Sequence, residues 1–131
     1  MLLGTSPLRL SFAGGGTDLQ EYYENFEGSV VSTAINHFTY VIVTPRQDNS
    51  FQVFSSDFQV HFKPTKYNEL KPEHGTELAV TVVKYLDFQQ GANLMINSEV
   101  VPGSGLGASS SLAVNLVKTI SSLKKEKMNN E

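Results

Sequence analysis

The feature that most constrains the fold is a glycine-rich loop between a predicted strand and a predicted helix. Residues 102–111 read PGSGLGASSS; NLMINSE precedes them and LAVNLVKTISSL follows them. Apolar residues in the second segment recur every three or four positions: Leu112, Leu116, Ile120 and Leu123. This spacing predicts an amphipathic helix that packs one face on a sheet. The loop must then lie at the exposed N-terminal end of that helix.

The predicted loop has the chemistry of an anion site. The first turn of a helix leaves about four backbone N–H groups unpaired, and the helix dipole adds roughly half a positive charge there. Gly103, Gly105 and Gly107 let a phosphate approach the main chain without a Cβ in the way. Serines at 109–111 add hydroxyls that can donate to phosphate or bind Mg²⁺. We therefore predict a phosphate site.

Two better-known glycine motifs do not fit the loop. The dinucleotide fingerprint needs G-x-G-x-x-G, whereas this loop reads G-x-G-x-G. The P-loop needs a lysine directly after its last glycine, and Ala108 follows Gly107 here. On spacing alone, an ordinary glycine-rich turn between strand and helix remains an alternative.

The rest of the chain predicts an α+β fold. Alternation at Leu8, Leu10 and Phe12 indicates a strand, and AGGGTD breaks it. Asp18 is predicted to cap a short helix through LQEYYENF, and Thr76 a longer one through ELAVTVVKYLDF. One long strand, or two joined at Asn36–His37, is predicted for SVVSTAI and FTYVIVT. A hairpin around Ser56–Asp57 is predicted for FQVFS with FQVHF. The sum is a two-layer sandwich of mostly antiparallel sheet with helices on one face.

Composition narrows the function classes. The chain has 131 residues, 40% of them hydrophobic, and a net charge of −3, which argues against nucleic acid as a partner. It has no cysteine, so disulfides and thiolate chemistry are excluded. Its apolar runs are far shorter than the roughly 20 residues that span a bilayer, and no signal peptide is recognisable. We expect a cytoplasmic protein that does not bind membranes.

Two segments together resemble a known family. PLRLSFAGGGTDL (7–19) and PGSGLGASSS (102–111), in this order, resemble the GHMP small-molecule kinases. The likeness is to the branch with AGGGTD, typified by D-glycero-D-manno-heptose 7-phosphate kinases and related sugar kinases. It implies the GHMP kinase N-terminal fold, which is ribosomal protein S5 domain 2-like, with the active site between two domains. It also implies ATP, Mg²⁺ and a small sugar phosphate as ligands.

The resemblance assigns ATP phosphates to the glycine loop. Its implied contacts are Pro102, Gly103, Ser104, Gly105, Leu106, Gly107, Ala108, Ser109 and Ser110. Ser109 matches the serine that contacts Mg²⁺ in the family. Ala108 stands where a hydroxyl is more usual, so one side-chain contact is lost while the backbone cradle is kept.

The first segment is assigned to the acceptor. Asp18 matches an acid that binds substrate hydroxyls, with Gly15, Gly16 and Thr17 beside it, and Arg9 matches a catalytic arginine near the reacting groups. From the residues alone, Asp18 can equally be a helix cap. Arg9 can equally be a strand arginine paired with an acid on the same face.

The resemblance also implies parts that are not recognisable here. In the family, the general-base aspartate, a further acidic Mg²⁺ ligand and the third glycine motif follow the glycine-loop helix. We therefore expect a truncated fold: residues 1–123 form a partial N-terminal domain, 124–131 form a polar tail, and the C-terminal domain is absent. The expected function is the N-terminal portion of an ATP-dependent sugar kinase with little or no turnover alone. The alternative is a non-catalytic nucleotide- or sugar-binding module. Expected partners are a second copy, through exposed apolar surface, or a separate C-terminal half.

Overall fold

A computed structural model of the chain describes residues 1–56, 60–61 and 63–129. The strands are β1 (Leu2–Ala13), β2 (Val31–Pro45), β3 (Ser50–Ser55), β4 (Val60–His61), β5 (Thr65–Lys66) and β6 (Ala92–Ser98). The helices are α1 (Gln20–Tyr23), α2 (Glu77–Tyr85) and α3 (Ala108–Asn129), and a 3₁₀ turn covers Tyr67–Glu69. No helix in these described ranges is long and apolar enough to cross a membrane.

The described strands form one sheet in the order β1-β2-β6-β3-β4, with β5 paired to β3. All pairs are antiparallel except β3 with β6, which run parallel. The predicted α+β class is confirmed, with one parallel pair in a mostly antiparallel sheet. The described part of the predicted FQVFS–FQVHF hairpin is present as β3 and β4, where Phe54 pairs with His61 and Ser55 with Val60, and residues 57–59 and 62 lie outside the described residues.

One face of the sheet lies under the helices. Strand alternation puts Val41, Val43 and Leu94 on this face, where they are fully buried. The predicted stripe on α3 is confirmed, because Leu116, Ile120 and Leu123 are buried in the same core and Leu112 packs against it. Helix α2 buries Ala79, Val80, Val82 and Val83 in the same core, whereas Leu78 and Leu86 are only partly buried.

The long strand β2 is continuous but irregular at the predicted joint. Pro7 pairs with Phe38 and Arg9 with Ala34, so β2 carries two extra residues between these pairs. The bulge falls at Asn36–His37, and the Glu99 carboxylate holds it from the end of β6. Glu99 Oε2 accepts a hydrogen bond from the Phe38 amide at 3.0 Å.

Two local predictions are wrong. Helix α1 begins at Gln20 and covers only four residues, and Asp18 does not cap it, because its carboxylate accepts from the Gly16 amide at 3.0 Å. Thr76 does precede α2, but its hydroxyl donates to the Glu73 carbonyl at 3.0 Å rather than capping the helix. Helix α3 continues to Asn129, so the segment expected as a polar tail after 123 is helical over its described residues; lysine and glutamate are good helix formers.

Candidate functional site

The glycine loop and the first turn of α3 form one wall of a groove of about 540 Å³. The N-terminal end of α2 forms the facing wall, and side chains from β2, β3 and β6 form the floor. Its lining includes Arg9, Thr39, Ser55, Glu77, Ile96 and Ser98, together with residues of the loop and of α3 between 102 and 112. Thus the structure brings Arg9 and the predicted loop residues other than Leu106 together in one concave site.

The main chain of the loop presents unused donors. Within the described ranges, no acceptor is bonded to the amides of Gly103, Gly105, Leu106, Gly107, Ala108, Ser109 and Ser110. The two neighbouring amides are used internally, since Ser104 donates to the Val101 carbonyl at 3.2 Å and Ser111 to the Gly107 carbonyl at 2.9 Å. We name the seven free amides the cradle. A helix N-terminus of this kind attracts negative charge.

Three glycines give the cradle its shape. Gly103, Gly105 and Gly107 have φ values of 83°, 76° and 73°, which is the left-handed region. Residues in alternating right- and left-handed conformations turn successive amides toward one point and form a concave anion site. Side chains other than glycine are strained at such φ values. The observed spacing of G-x-G-x-G is therefore the spacing that this backbone needs.

The serine hydroxyls of the first turn divide between two roles. In the described part of the chain, the hydroxyls of Ser109 and Ser110 have no hydrogen-bond partner, and both residues are exposed. The Ser111 hydroxyl instead points to β1, 3.0 Å from the Pro7 carbonyl and 3.2 Å from that of Ser6. Of the three serines in the described first turn, Ser109 and Ser110 are thus the ones free to meet a ligand.

The donor set fits Mg²⁺ only as an ion carried by phosphate. Among the described residues there is no group of three or more histidine, cysteine, aspartate or glutamate side chains that could hold a metal. The Ser109 hydroxyl could supply one oxygen ligand. Mg²⁺ commonly keeps several waters and takes its other ligands from substrate phosphates, so one hydroxyl beside a phosphate cradle is compatible with it.

Arg9 joins the first motif to the cradle. Its amide donates to the Leu106 carbonyl at 3.1 Å, and a Cβ at Gly107 would lie 3.2 Å from Arg9 Cγ. No carboxylate of the described residues lies within salt-bridge distance of the Arg9 guanidinium, so the predicted alternative of a pairing with an acid on the strand is not observed. Glu77, on the facing wall, is the one acid among the groove's described lining residues.

The loop of the first motif lies apart from the groove. Residues 15–18 form turns after β1 and do not line it, and the strand from Arg9 to Ala13 covers about 13 Å. The Thr17 hydroxyl is used within the loop: it lies 2.7 Å from the Gly14 carbonyl and accepts from the Ser29 amide at 3.0 Å. The Asp18 carboxylate is exposed, with one oxygen bonded to the Gly16 amide. The roles of Gly15, Gly16, Thr17 and Asp18 toward a sugar stay predictions.

Sequence reasoning missed two polar residues in the groove floor. Ser55 is only 3% exposed, and its hydroxyl is the one buried side-chain polar atom of the described residues without a partner. Thr39 is fully buried and bonded to α3. Both occupy positions that strand alternation assigns to the core, after Val53 and before Val41. A polar residue at a strand position that alternation assigns to the core could have marked both as candidates for the site.

Comparisons with known proteins agree with this geometry. Residues 76–131 match the family model described as the GHMP kinases N-terminal domain. The chain is 32% identical over 120 residues to D-glycero-alpha-D-manno-heptose 7-phosphate kinase of Campylobacter jejuni, covering 86% of this chain and 35% of that protein. It is 35% identical over 116 residues to galactokinase of Haemophilus influenzae, covering 83% and 29%. A crystal structure of a D-glycero-D-manno-heptose 1-phosphate kinase from Bacteroides thetaiotaomicron superposes with a TM-score of 0.83 at 23% identity, covering 91% of this chain and 40% of that one.

The fold, the glycine loop and these matches define the class: the chain belongs to the GHMP kinase family. It corresponds to the N-terminal part of its relatives and spans about a third of the length of the curated relatives it matches.

Proposed function

We propose that this chain carries the ATP-phosphate site and part of the acceptor site of an ATP-dependent sugar kinase. The observation that carries the proposal is the cradle: seven free amides, from Gly103 to Ser110, at the N-terminal end of α3. Phosphoryl transfer depends mainly on positioning and on neutralising phosphate charge, which are tasks for backbone donors. When bound, Mg²⁺ would supply further charge neutralisation, with the Ser109 hydroxyl beside it.

The groove extends beyond the cradle and can take the rest of a nucleotide. Ile96, Leu78 and Leu112 give it apolar surface, and the Ser55 hydroxyl offers a polar contact without a protein partner. Pockets for small ligands combine apolar walls with a few polar groups that fix orientation. We infer that ATP lies with its phosphates in the cradle and its nucleoside toward Ser55.

The proposed acceptor is a heptose phosphate or a related sugar. Of the similar curated proteins, one is named as a heptose 7-phosphate kinase and another as a galactokinase, which supports a sugar over other acceptors. The exposed Asp18 carboxylate would accept hydrogen bonds from sugar hydroxyls, as the resemblance implies. Arg9 lies between this loop and the cradle, where a guanidinium could bind the anionic oxygens of either substrate.

We expect the 131-residue chain to bind Mg·ATP with little turnover by itself. A general base must reach the acceptor hydroxyl, and Glu77 is the one acid among the groove's described lining residues. Because no general base is identified among the described residues of the groove, a second candidate function is a nucleotide- or sugar-binding module without catalysis. The two differ in whether a sugar is ever phosphorylated, not in the cradle.

Calorimetric titration of the folded chain with Mg·ATP tests the proposal. We expect saturable one-site binding that weakens in the Ser109→Ala variant, with Ser122→Ala, an exposed serine on the same helix, as the control. A folded chain that gives no heat with Mg·ATP would contradict the phosphate site. Rapid phosphorylation of a heptose phosphate by this chain alone would contradict the expected lack of turnover.

A further inference from the structure

A line of polar side chains, buried at Asn115 and Thr119 and partly buried at Ser111, joins α3 to the sheet beside the cradle. Ser111, Asn115 and Thr119 recur every four residues on α3, over about 12 Å of helix. They face β1 and β2 at Gly4, Ser6 and Thr39. We name Thr39, Ser111, Asn115 and Thr119 the polar seam. It lies beside the apolar stripe of the same helix.

Every donor of the seam has an acceptor in one consistent arrangement. The Asn115 amide group donates to the carbonyls of Gly4 at 3.1 Å and of Thr39 at 3.0 Å. The Thr119 hydroxyl donates to Asn115 Oδ1 at 3.1 Å. The Ser111 hydroxyl can donate to the Pro7 carbonyl at 3.0 Å and accept from the Thr39 hydroxyl at 3.2 Å. A fully satisfied buried network of this kind specifies one geometry.

The seam fixes the helix where apolar packing alone does not. Contacts between aliphatic side chains tolerate small sliding movements, whereas hydrogen bonds weaken steeply with distance and angle. Residue 4 must also be glycine for this fit, because a Cβ there would overlap Thr119 Oγ1 and Asn115 Oδ1. The main chain of β1 at Gly4 therefore packs directly against side chains of α3.

The strand held by the seam is the one that carries the first motif. Seam bonds reach β1 at Gly4 and Pro7, and the Arg9 amide is bonded to Leu106 of the glycine loop. The same strand runs on to the turns at 14–18. Movement of α3 relative to β1 would thus change the distance between the cradle and Arg9.

We infer that the polar seam, through Thr39 and Ser111, positions the cradle relative to Arg9 and the first motif. Thr39 and Ser111 act as positioning residues, because their hydroxyls are engaged with α3 and β1 rather than free to meet a ligand. The inference rests on the proposed function for its binding readout. Thr119, two turns farther along α3 than Ser111, belongs to the same network without lying near the loop.

The test compares Thr39→Val with Thr119→Val, each of which removes one buried hydroxyl without changing shape much. We expect Thr39→Val to weaken Mg·ATP binding about tenfold, while Thr119→Val, at a similar loss of Tm, stays within about twofold of the unmodified chain. Thr39→Ser restores the hydroxyl and should restore the affinity. Equal affinities in the two valine variants would overturn the inference. If circular dichroism shows that Thr39→Val does not fold, Ser111→Ala takes its place with the same expected loss.

A second readout separates this inference from the proposed function. If the unmodified, folded chain binds no Mg·ATP, the proposed function fails. The positioning role of the seam is then tested by NMR on the protein without ligand. Amide ¹H–¹⁵N shifts of residues 103–110 should change in Thr39→Val and stay in place in Thr119→Val. Unchanged loop shifts in Thr39→Val would reject a positioning role in that case also.

Discussion

Gly103, Gly105 and Gly107 decide what the loop can hold, because their left-handed φ values are ones that other residues rarely adopt. Open space surrounds the position of a Cβ at Gly103 and at Gly105, since no heavy atom beyond the glycine and its two chain neighbours lies within 4 Å of it. Contacts with the rest of the structure therefore do not explain why glycine is present at these two positions. Backbone conformation does, together with the need for a phosphate to reach the main chain.

The first residue-scale prediction concerns Gly105→Ala. Alanine at a φ of 76° is strained, so we expect a loss of about 1 kcal/mol in the free energy of unfolding and at least a tenfold loss of Mg·ATP affinity, as the loop relaxes and the amides turn away. Asn49→Ala is the matched control, because Asn49 has a φ of 53° in a turn away from the groove. It should lose a similar amount of stability by urea unfolding and keep its affinity. An unchanged affinity in Gly105→Ala would contradict the role of the cradle.

The second residue-scale prediction concerns Ser55→Ala. A buried hydroxyl without a partner destabilises the free protein, so its removal should raise the free energy of unfolding by about 1 kcal/mol. The same change should weaken Mg·ATP binding if the hydroxyl meets the nucleotide. Ser50→Ala on the same strand is the control; its hydroxyl lies 3.5 Å from the Asp48 carbonyl, and its loss should not stabilise the chain. A Ser55→Ala variant that is less stable than the unmodified chain would refute this account.

At the scale of elements, one carboxylate holds the irregular part of β2 to the end of β6. Glu99 Oε1 accepts from the Tyr40 hydroxyl at 2.5 Å, and Oε2 lies 3.2 Å from His37 Nδ1. The hydrogen bond from Tyr40 lowers the pKa of Glu99 below its usual value, and that from the Phe38 amide adds to the effect. The same bond raises the pKa of Tyr40. Glu99 is three residues before Pro102, so this contact also fixes where the glycine loop begins.

The element-scale prediction follows from the sign of that shift. A carboxyl whose pKa is lower in the folded state stabilises it above the unfolded value, about 4.3, and the stabilisation is lost as the pH falls through the folded value. The Tm of Glu99→Gln should therefore lie below that of the unmodified chain at neutral pH, and the difference should shrink below about pH 4. Glu27→Gln, which changes an exposed acid after α1, should show no such dependence. A Tm difference that stays constant from pH 7 to pH 3 would exclude this role for Glu99.

For the whole molecule, the sheet has one face under the helices and one face without a described cover. Leu3, Ile42, Met95 and Phe54 are paired in register across four strands on this second face. Leu3 is 62% and Met95 47% exposed. An apolar row of this kind on a sheet surface favours association.

The prediction at this scale is that the chain self-associates through that row. Light scattering over a concentration series should show a mass above that of one chain, and Met95→Lys should restore the monomer, because a charge in the row opposes its burial. Tyr85→Lys is the control, since Tyr85 is 82% exposed at the end of α2, away from the row. A monomer at every concentration would contradict the prediction.

The sequence was sufficient to predict strands and helices with a clear local pattern. It was not sufficient to predict features that depend on tertiary contacts. Strand alternation predicted β1, β-branched and aromatic residues predicted β2, and the apolar stripe predicted the glycine-loop helix α3. The predicted caps failed because Asp18 and Thr76 found backbone partners within their own turns. Ser55 and Thr39 could not be placed in the site, because strands and a helix far apart in sequence form it only when they meet. The polar seam likewise has no local signal beyond an i, i+4 spacing.

The central claim is that the amides from Gly103 to Ser110 bind the phosphates of ATP. An NMR titration of the ¹⁵N-labelled chain with Mg·ATP tests it most directly, because each amide reports its own contact. The account predicts saturable shifts that are largest at Gly103, Gly105–Ser110 and Arg9, and reproduced at 103–110 by inorganic triphosphate. Shifts confined to other parts of the sheet, with residues 103–110 unmoved at saturation, would contradict it.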